Sequence, residues 1–411
     1  MELGAATRPR SAPRGRRPPS RRRGPRGGRG VAIVLRLRRI ALVTALVVLI
    51  PVAFSYLHTM SEPSNSSLGV RTVEWLRDHG AAGLVAKIES TYYALTAPSK
   101  GGPTLRALPR VGYGSAGAAT RNRESQGSAT VAGQSTTTTT YRPARVAPMI
   151  HPALAGEGVW RATRPGLEAE PPVLLTTLRN QPEYPRVVAG LAWIDTKRTT
   201  VTLNPGRQEP SVSIPRGAMD LPQEKRGKLL ASFNSGFKLS DSRGGFALNG
   251  HTYATMRNGQ ATLVGYTDGR VDVVEWSGGP IASSSVAFAR QNLPLIVDNG
   301  RPNPNLNSGA EWGATVGGAI LVWRSGIGVD RYGNLIYAAG DNQTVPSLAA
   351  TLIHAGAVRA MELDINSYWV SFITYRAPEA GNPTNLLPDM NRSASRYLEP
   401  DDRDFFAVYA R

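Results

Sequence analysis

Arg324 and Asp364 are the two residues whose types and surroundings most favour chemistry on an anionic group. Arg324 follows a run of five apolar residues, and Asp364 follows residues 357–363, a segment typical of a buried strand. A guanidinium binds phosphate oxygens through parallel hydrogen bonds, and a carboxylate acts as a base or stabilises positive charge. The pair therefore suits the binding and cleavage of an anionic glycan linkage, although each residue alone also fits a solvated strand end or a turn.

A dense polar turn follows Asp364. It contains Asn366 and Ser367 and is bounded by Tyr368 and Trp369, whose rings suit stacking against a sugar. We therefore predict that Asn366 and Ser367 help to bind the substrate. The alternative is an Asx-type turn with core aromatic residues behind it.

Five more residues are candidate substrate ligands. Gly326 and Gly328 belong to a segment predicted to form a tight turn, whose exposed backbone N–H groups suit phosphate oxygens. Asn234 stands at a predicted strand end before a glycine, where its amide can face a ligand. Asp298 and Asn299 begin an Asp-Asn-Gly turn and offer oxygens to sugar hydroxyls. The alternative for all five is ordinary turn chemistry.

Several other kinds of site are excluded. The sequence lacks the P-loop pattern and the Gly-x-Ser-x-Gly pattern of serine hydrolases. It has no cysteine, and its five histidines show no metal-ligand spacing, so we predict neither a metal nor another cofactor. The net charge is +18, but residues 1–39 hold 13 arginines and one glutamate, a net +12. This charge lies in a segment that cannot bury a core, so no specific nucleic-acid partner is predicted.

Residues 40–57 are 18 uncharged, mostly apolar residues, about the minimum for a helix that crosses a bilayer. Arg36, Arg38 and Arg39 precede this stretch, and no comparable basic cluster follows it. The positive-inside rule then places the N-terminus in the cytoplasm and residues 58–411 outside. We interpret the stretch as a single-pass signal anchor in the cell membrane; a cleaved signal peptide is the alternative.

Composition divides the chain into five segments. These are an Arg-rich disordered tail (1–39), the anchor (40–57), a stem with an amphipathic helix (58–96), a Pro/Gly/Ser/Thr-rich linker (97–155) and an extracytoplasmic domain (156–411). The composition of the linker cannot offset the entropy of ordering it. Aromatic and β-branched residues become frequent only in the last segment, which is therefore the folded domain.

This domain is predicted to be α+β, a mostly antiparallel or mixed β-sheet domain with a few packed helices. Strands are predicted at residues 187–194, 199–203, 229–233, 261–266, 271–276, 295–297, 319–323, 335–338, 357–363 and 405–410. Asp268-Gly269 predicts a hairpin between residues 261–266 and 271–276. The clearest helix spans residues 347–355, with Thr344 as its cap and Gly356 as its stop.

Taken in order, these motifs resemble the phosphodiester glycosidase family. Residues 234–237 (Asn-Ser-Gly-Phe) are similar to the family's Asn-Gly-Gly-Phe turn, and residues 324–328 to its Arg-[Ser/Thr]-x-Ile-Gly segment. The helix at 348–355, followed by Leu363-Asp364, is similar to the family's helix and its Leu-Asp-Gly-Gly-Gly-Ser end. The resemblance covers residues 225–411.

The resemblance implies hydrolysis of a sugar-1-phosphodiester at the anomeric carbon, through an oxocarbenium-like transition state. It implies that Arg324 binds the phosphate oxygens and that Asp364 acts on the anomeric side. Asn234 and Asn366 would hold sugar hydroxyls or phosphate. The expected partner is a phosphorylated glycan of the cell envelope.

Two departures from the family leave other hypotheses open. Residues 364–367 are Asp-Ile-Asn-Ser instead of Asp-Gly-Gly-Gly-Ser, and Glu362 stands where the family has Asn. The side chains of Ile365 and Asn366 fill space that glycines leave open. The second hypothesis is therefore a non-catalytic module that binds envelope glycan on the same fold. The third is a scaffold whose Arg-rich tail recruits cytoplasmic partners.

Overall fold

The computed structural model describes residues 28–113, 141–167, 169–313 and 321–411. The chain forms two compact units, Met1–Ser61 and Glu62–Arg411. Most of the predicted tail, the predicted linker from 114 to 140 and residues 319–320 of a predicted strand lie outside the described residues.

The first unit contains one long helix, α1 (Gly28–Ser61). Its part Ile33–Ser61 is 29 residues long and contains an 18-residue stretch with a mean hydropathy of 2.5, so it is long and apolar enough to cross a membrane. Such a helix near an N-terminus is typical of a membrane anchor or of a signal sequence.

The second unit contains two helices of the stem, α2 (Leu68–Leu76) and α3 (Ala82–Thr96), followed by a β-rich domain. The strands are β1 (Arg161–Ala162), β2 (Val173–Arg179), β3 (Val188–Ile194), β4 (Thr199–Asn204), β5 (Leu229–Asn234), β6 (Phe246–Leu248), β7 (His251–Ala254), β8 (Ala261–Tyr266), β9 (Val271–Glu275), β10 (Val286–Gln291), β11 (Leu295–Asp298), β12 (Arg301–Pro302), β13 (Val322–Asp330), β14 (Leu335–Gln343), β15 (Ala357–Glu362), β16 (Phe372–Ala377), β17 (Gly381–Asn385) and β18 (Phe405–Ala410). The remaining α-helices are α4 (Leu239–Ser242) and α5 (Val345–His354).

These strands form three antiparallel sheets. One has the order β1-β2-β3-β14-β13-β15-β11-β12, the second β7-β6-β10-β8-β9 and the third β17-β16-β5-β18-β4. The α+β prediction, with mostly antiparallel sheets and few helices, is confirmed. The hairpin at Asp268-Gly269 is also confirmed, since β8 and β9 pair directly across it.

Aromatic side chains pack the sheets together. The rings of Phe233 and Tyr337 lie 5.6 Å apart, and those of Tyr337 and Phe372 lie 4.9 Å apart, which joins the eight-stranded sheet to the sheet of β5 and β16. Phe406 contacts Phe233 at 5.1 Å and Phe288 of β10 at 5.9 Å. Aromatic pairs at these separations contribute about 0.5–1.5 kcal/mol each beyond area burial.

Helix α5 covers the strands that carry the candidate residues. Thr344 accepts a hydrogen bond from Ser347 N–H and the Ser347 hydroxyl accepts one from Thr344 N–H, a capping box that begins the helix as predicted. Leu348 and Leu352 are buried in a cluster with residues of the eight-stranded sheet. The helix therefore holds β13 and β15 in place from one side.

The described ends of the predicted linker are packed against the domain, which corrects the prediction of a spacer for those parts. Val111 and Val146 are buried. Tyr113 N–H donates to Ala162 O, and Val146 N–H donates to Gly158 O. The composition is poor in large apolar residues, but two valines and backbone pairing are enough to order the chain along the surface of an existing domain.

Candidate active site

Asp364 lies just beyond β15, as predicted, and its carboxylate is buried. Its Oδ1 accepts a hydrogen bond from Asn366 N–H (2.9 Å), and its Oδ2 accepts one from Arg403 Nη2 (3.1 Å). Ser325 N–H donates to Asp364 O, whereas Ser325 O accepts from Leu363 N–H. Two residues thus oppose one, which is β-bulge geometry and re-aims the Asp364 side chain.

A cavity of about 590 Å³ opens beside this carboxylate. Asp364, Asn366, Trp369 and Arg403 form one part of its wall, and Lys238 lies on the wall as well. The volume falls in the usual range for small-molecule sites, roughly 300–1,000 Å³. The arrangement places a carboxylate, a guanidinium and an indole around one space.

The environment of Asp364 changes its proton affinity. Burial raises the pKa of the carboxyl group above its ordinary value, and Glu74 raises it further. Arg403 and the Asn366 N–H lower the pKa in part, because they stabilise the charged form. In the described part of the chain, no group of three or more His, Cys, Asp or Glu side chains is placed to hold a metal ion.

Two residues of the cavity wall each have a buried N–H donor with no acceptor in the described part of the chain. The Arg403 guanidinium lies 5.1 Å from the centre of the Trp369 ring. Neither Arg403 Nε nor Trp369 Nε1 has a hydrogen-bond partner among the residues that the structure describes. An unpaired buried donor costs about 1–3 kcal/mol. Both nitrogen atoms are inaccessible to solvent, so a ligand oxygen would recover that free energy only after these side chains turn towards the cavity.

Arg324 is not among the described residues of the cavity wall that contains Asp364, which corrects the prediction that these two residues line one hollow. Its Nη1 donates to Glu362 Oε1 (2.6 Å) and to Trp312 O (3.2 Å), and its Nε donates to Gln343 O (3.1 Å). Gly326 pairs with Glu362 between β13 and β15, so Arg324 and Glu362 are diagonal neighbours on one face of the sheet. The guanidinium beside Asp364 is that of Arg403.

Glu362 forms a buried ion pair with Arg324. Burial raises the pKa of Glu362 to about 7, and Arg324 only partly opposes this. One carboxylate oxygen, Oε2, has no hydrogen-bond partner within the described segments. The pair therefore lies inside the sheet and helix layer, and its expected contribution is to folding.

Asn234 lies at the end of β5, as predicted, but its side chain is used within the core. Nδ2 donates to Ser235 O (2.8 Å) and Ser325 Oγ (3.0 Å). Oδ1 accepts from Tyr337 Oη (2.9 Å) and Ser371 N–H (3.0 Å). These bonds fasten β5 to β13 and β14, and no donor or acceptor of the amide is left for a substrate.

Gly326 and Gly328 lie inside β13, so the prediction of a phosphate-binding turn is wrong. All residues of β13 are buried, and their backbone groups belong to the ladders with β14 and β15. A Cβ on Gly328 would lie 2.8 Å from Arg359 O and 2.9 Å from Ala357 Cβ. The glycines allow close approach of β15. A glycine-rich strand of this kind has the same residue types as a turn, so the sequence alone does not distinguish the two.

Replacing Gly328 with Ala is expected to destabilise the protein by about 1–3 kcal/mol, because the added methyl group overpacks a site bounded by backbone. Gly69→Ala is the matched control, since a Cβ at Gly69 meets no atom within 4 Å. Denaturant unfolding of both variants measures the difference. Equal midpoints for the two variants would show that the strand can move aside.

Asp298 and Asn299 are not near Asp364, which corrects their prediction as ligands of the same site. Asp298 is the exposed last residue of β11 and Asn299 begins the turn after it, where Asn299 Nδ2 donates to Asp298 Oδ2. The adjacent Gly300 N–H donates to Val358 O at the beginning of β15. Asp364 follows the other end of β15. At about 3.3 Å per residue, it lies roughly 20 Å from Val358 along the strand.

The turn after Asp364 is an Asx turn. Asn366 Oδ1 accepts from Tyr368 N–H (2.9 Å), and Asn366 also lines the cavity. Ser367 is half-buried, and its carbonyl accepts from Asn391 Nδ2 (3.2 Å). Asn366 is therefore placed to contact a ligand, whereas Ser367 is not among the described residues of the cavity wall.

Arg403 and Lys238 lie on the cavity wall but are not among the residues predicted from the sequence. Arg403 lies in the Asp-Asp-Arg-Asp segment 401–404, immediately before the buried strand β18. Four charged residues next to a buried strand indicate a buried network of charges. The sequence does not indicate that Asp364 is the residue with which Arg403 pairs. Lys238 pairs with Glu74 of the stem, a contact that the local sequence does not indicate.

Three solved structures are similar to this chain at low identity. The catalytic domain of zebrafish N-acetylglucosamine-1-phosphodiester alpha-N-acetylglucosaminidase, auto-inhibited by its pro-peptide, is 15% identical, with a TM-score of 0.39 over 58% of this chain and 82% of that one. A hypothetical protein from Synechocystis is 14% identical, with a TM-score of 0.34 over 59% and 65%. A putative exported protein from Burkholderia pseudomallei is 11% identical, with a TM-score of 0.24 over 56% and 75%.

No curated protein matches the chain. Residues 226–364 match a family model described as phosphodiester glycosidase. This segment contains β5, α5 and β15 and ends at Asp364, the carboxylate of the cavity. Over residues 226–364 the chain is therefore similar to the phosphodiester glycosidase family, as its sequence motifs indicate.

Proposed function

We propose that this protein is a membrane-anchored, extracytoplasmic hydrolase that cleaves the glycosidic C–O bond of a sugar-1-phosphodiester in an envelope glycan. The observation that supports it most is that Asp364, the last residue of the family match, lines a cavity together with Arg403 and Trp369. The family supplies the reaction class, and the cavity supplies a carboxylate next to unpaired donors.

Arg403 and Trp369 bind the phosphate in this proposal, in place of Arg324. Arg403 Nε and Trp369 Nε1, which have no partner among the described residues, donate to phosphate oxygens once their side chains turn towards the cavity. Lys238 on the same wall is paired with Glu74 of the stem, so Arg403 carries the positive charge nearest to Asp364 in this proposal. The exposed carboxylates at the rim, Asp78 and Asp241, disfavour a second negative charge. The rim therefore favours a singly charged diester over the doubly charged monoester that hydrolysis produces.

Asp364 acts at the anomeric carbon. The bond from that carbon to the phosphate oxygen breaks, and the phosphate leaves with the electron pair. The leaving group is a phosphate monoester, whose second pKa is roughly 6. Because it is such a weak base, it leaves without a strong general acid. Water attacks the anomeric carbon and gives its proton to the Asp364 carboxylate. Asn366, on the same wall, accepts or donates a hydrogen bond to a sugar hydroxyl.

The membrane anchor rests on α1 and on charge. The helix is long and apolar enough to span a bilayer, and Arg36, Arg38 and Arg39 stand near its N-terminal end. The positive-inside rule then gives a cytoplasmic N-terminus and an extracytoplasmic domain.

A non-catalytic glycan-binding module is the second candidate. Ile365 and Asn366 have side chains on the cavity wall where the family has glycines. Asp364 is also already paired with Arg403. Both observations favour a cavity that binds a ligand without turnover.

Hydrolysis in H₂¹⁸O by the full-length protein in detergent separates the two candidates. The substrates are p-nitrophenyl phosphodiesters of glucose, mannose and N-acetylglucosamine 1-phosphates. We expect free sugar labelled at its anomeric oxygen and unlabelled p-nitrophenyl phosphate. Label in the phosphate would contradict the proposed C–O cleavage. Glycan pull-down without release of sugar would favour the binding module.

A further inference from the structure

The stem is attached to the domain at the loop before β18. Asn65 Nδ2 donates to Asp401 Oδ2 (2.9 Å), and the hydroxyl groups of Ser64 and Ser66 each donate to Asp402 Oδ2 (2.5 Å). Ser67 N–H donates to Tyr368 Oη (2.9 Å). Asp401 and Asp402 are buried. These contacts fix the beginning of the stem beside the Arg403 segment.

A break between the two stem helices turns the stem along the cavity. His79 has φ −107° and ψ 30°, and Gly80 has φ 86°, so both depart from helical geometry. The positive φ at Gly80 is one that glycine adopts without strain. Arg77 donates to Glu89 Oε1 across this break and to Glu74 Oε1 (3.3 Å). The break therefore brings residues of both stem helices to one place.

The stem forms one wall of the cavity. Its residues on that wall are Glu74, Arg77, Asp78, Ala82, Glu89 and Tyr93. Asp364, Trp369 and Arg403 belong to the same cavity wall on the domain side. The space of about 590 Å³ stays open between the two sides, so the stem encloses the cavity and does not fill it.

The charges of this wall suit hydroxyl groups better than phosphate. Three carboxylates, those of Glu74, Asp78 and Glu89, and one arginine, Arg77, lie on this wall. Arg77 pairs with Glu74 and Glu89, whereas Asp78 lies 3.9 Å from Lys238. Glu74 also pairs with Lys238, and although burial raises the pKa of Glu74, the Lys238 ammonium holds it below its ordinary value. Ionised carboxylates repel an anion but accept strong hydrogen bonds from neutral hydroxyls.

Glu89 and Tyr93 are the stem residues best placed to bind such hydroxyls. They are one helical turn apart on α3, and both are partly buried at the cavity. Glu89 keeps acceptor capacity beyond its bond with Arg77. None of the hydrogen bonds between described residues uses the Tyr93 hydroxyl, which is thus available as a donor or acceptor.

We propose that the stem is part of the substrate site, with Glu89 and Tyr93 binding sugar hydroxyls while Arg403 and Trp369 bind the phosphate. This inference rests on the proposed function for the identity of the ligand. It assigns the two chemical halves of a sugar phosphodiester to the two sides of the cavity.

The test compares Tyr93→Phe and Glu89→Gln with Tyr92→Phe in the full-length protein. Tyr92 is the matched control, because it is adjacent on α3 but exposed and is not on the cavity wall. We expect Tyr93→Phe and Glu89→Gln each to raise KM by roughly 10-fold with kcat changed less than threefold, since they remove contacts common to ground and transition states. Tyr92→Phe should keep both constants.

Binding of the same p-nitrophenyl phosphodiesters, measured by calorimetry, separates this inference from the proposed function. Ligand binding that weakens in the two wall variants, without turnover in the wild type, supports the stem site and ends the hydrolase proposal. Turnover that is unchanged in both wall variants overturns the stem site alone. Faster turnover in the double variant Glu89→Gln/Tyr93→Phe also overturns it, because the stem would then act as a cover.

Discussion

Replacing Asp364 with Asn is expected to lower kcat for a sugar-1-phosphodiester by roughly 10²–10⁴-fold, the usual contribution of a general acid or base. Asn keeps an oxygen that accepts from Asn366 N–H but cannot take a proton from water or stabilise a positive anomeric carbon. Initial rates of sugar release measure the effect. A variant that keeps more than a tenth of the wild-type kcat would remove Asp364 from the mechanism.

The control must separate lost chemistry from lost folding, because the substitution also breaks the buried pair with Arg403. Asp404→Asn breaks another buried pair, with Arg290 at 2.7 Å, and Asp404 is not on the cavity wall in the described chain. Both variants should lose stability, but only Asp364→Asn should lose kcat per folded molecule. Near-ultraviolet circular dichroism at the assay temperature gives the folded fraction.

The pH dependence of the reaction gives a further readout of Asp364. The mechanism needs the ionised carboxylate, and burial raises its pKa above the ordinary range. The rate should therefore fall as the pH decreases through this raised pKa, at a higher pH than for an exposed aspartate. The acidic limb should vanish in Asp364→Asn.

The local elements of the site could be predicted from the sequence. The Thr344 cap and the Gly356 stop bound α5, and the apolar segment before Asp364 indicates a strand that ends there. Each of these signals depends on residues within a few positions of one another. For that reason they need no knowledge of the tertiary structure.

The contacts across the fold could not be predicted in the same way. Arg403 and Asp364 form a hydrogen bond although they are 39 residues apart in sequence. Glu362 pairs with Arg324 because the register of β13 and β15 makes them neighbours. The glycine-containing segment of β13 resembles a turn in composition. Only the packing of β15 against its glycines shows that the segment is a strand. The sequence predicts a stem with an amphipathic helix, but no residue near it in sequence indicates that the helix lines the cavity of the domain.

Replacing Arg324 with Met is expected to destabilise the protein by about 3–5 kcal/mol, because it leaves the Glu362 carboxylate buried without its cation. The double variant Arg324→Met/Glu362→Leu should recover most of this loss, since it removes both charges from an apolar layer. Bonds from Arg324 to Gln343 O and Trp312 O are lost in both variants. Chemical denaturation of the wild type and both variants therefore isolates the ion pair.

The pH dependence of stability gives a second measurement of the same pair. The pKa of Glu362 is about 7 in the folded protein, against an ordinary 4.5. Between these values the folded state binds more protons than the unfolded state, so this group's contribution to stability falls as the pH rises from 4.5 to 7, by at most roughly 3 kcal/mol. The slope should be absent from the double variant, and Arg324→Met should lose more stability at pH 8 than at pH 5. A loss of turnover in the double variant, at wild-type stability and with the cavity still able to bind ligand, would instead return Arg324 to the catalytic site.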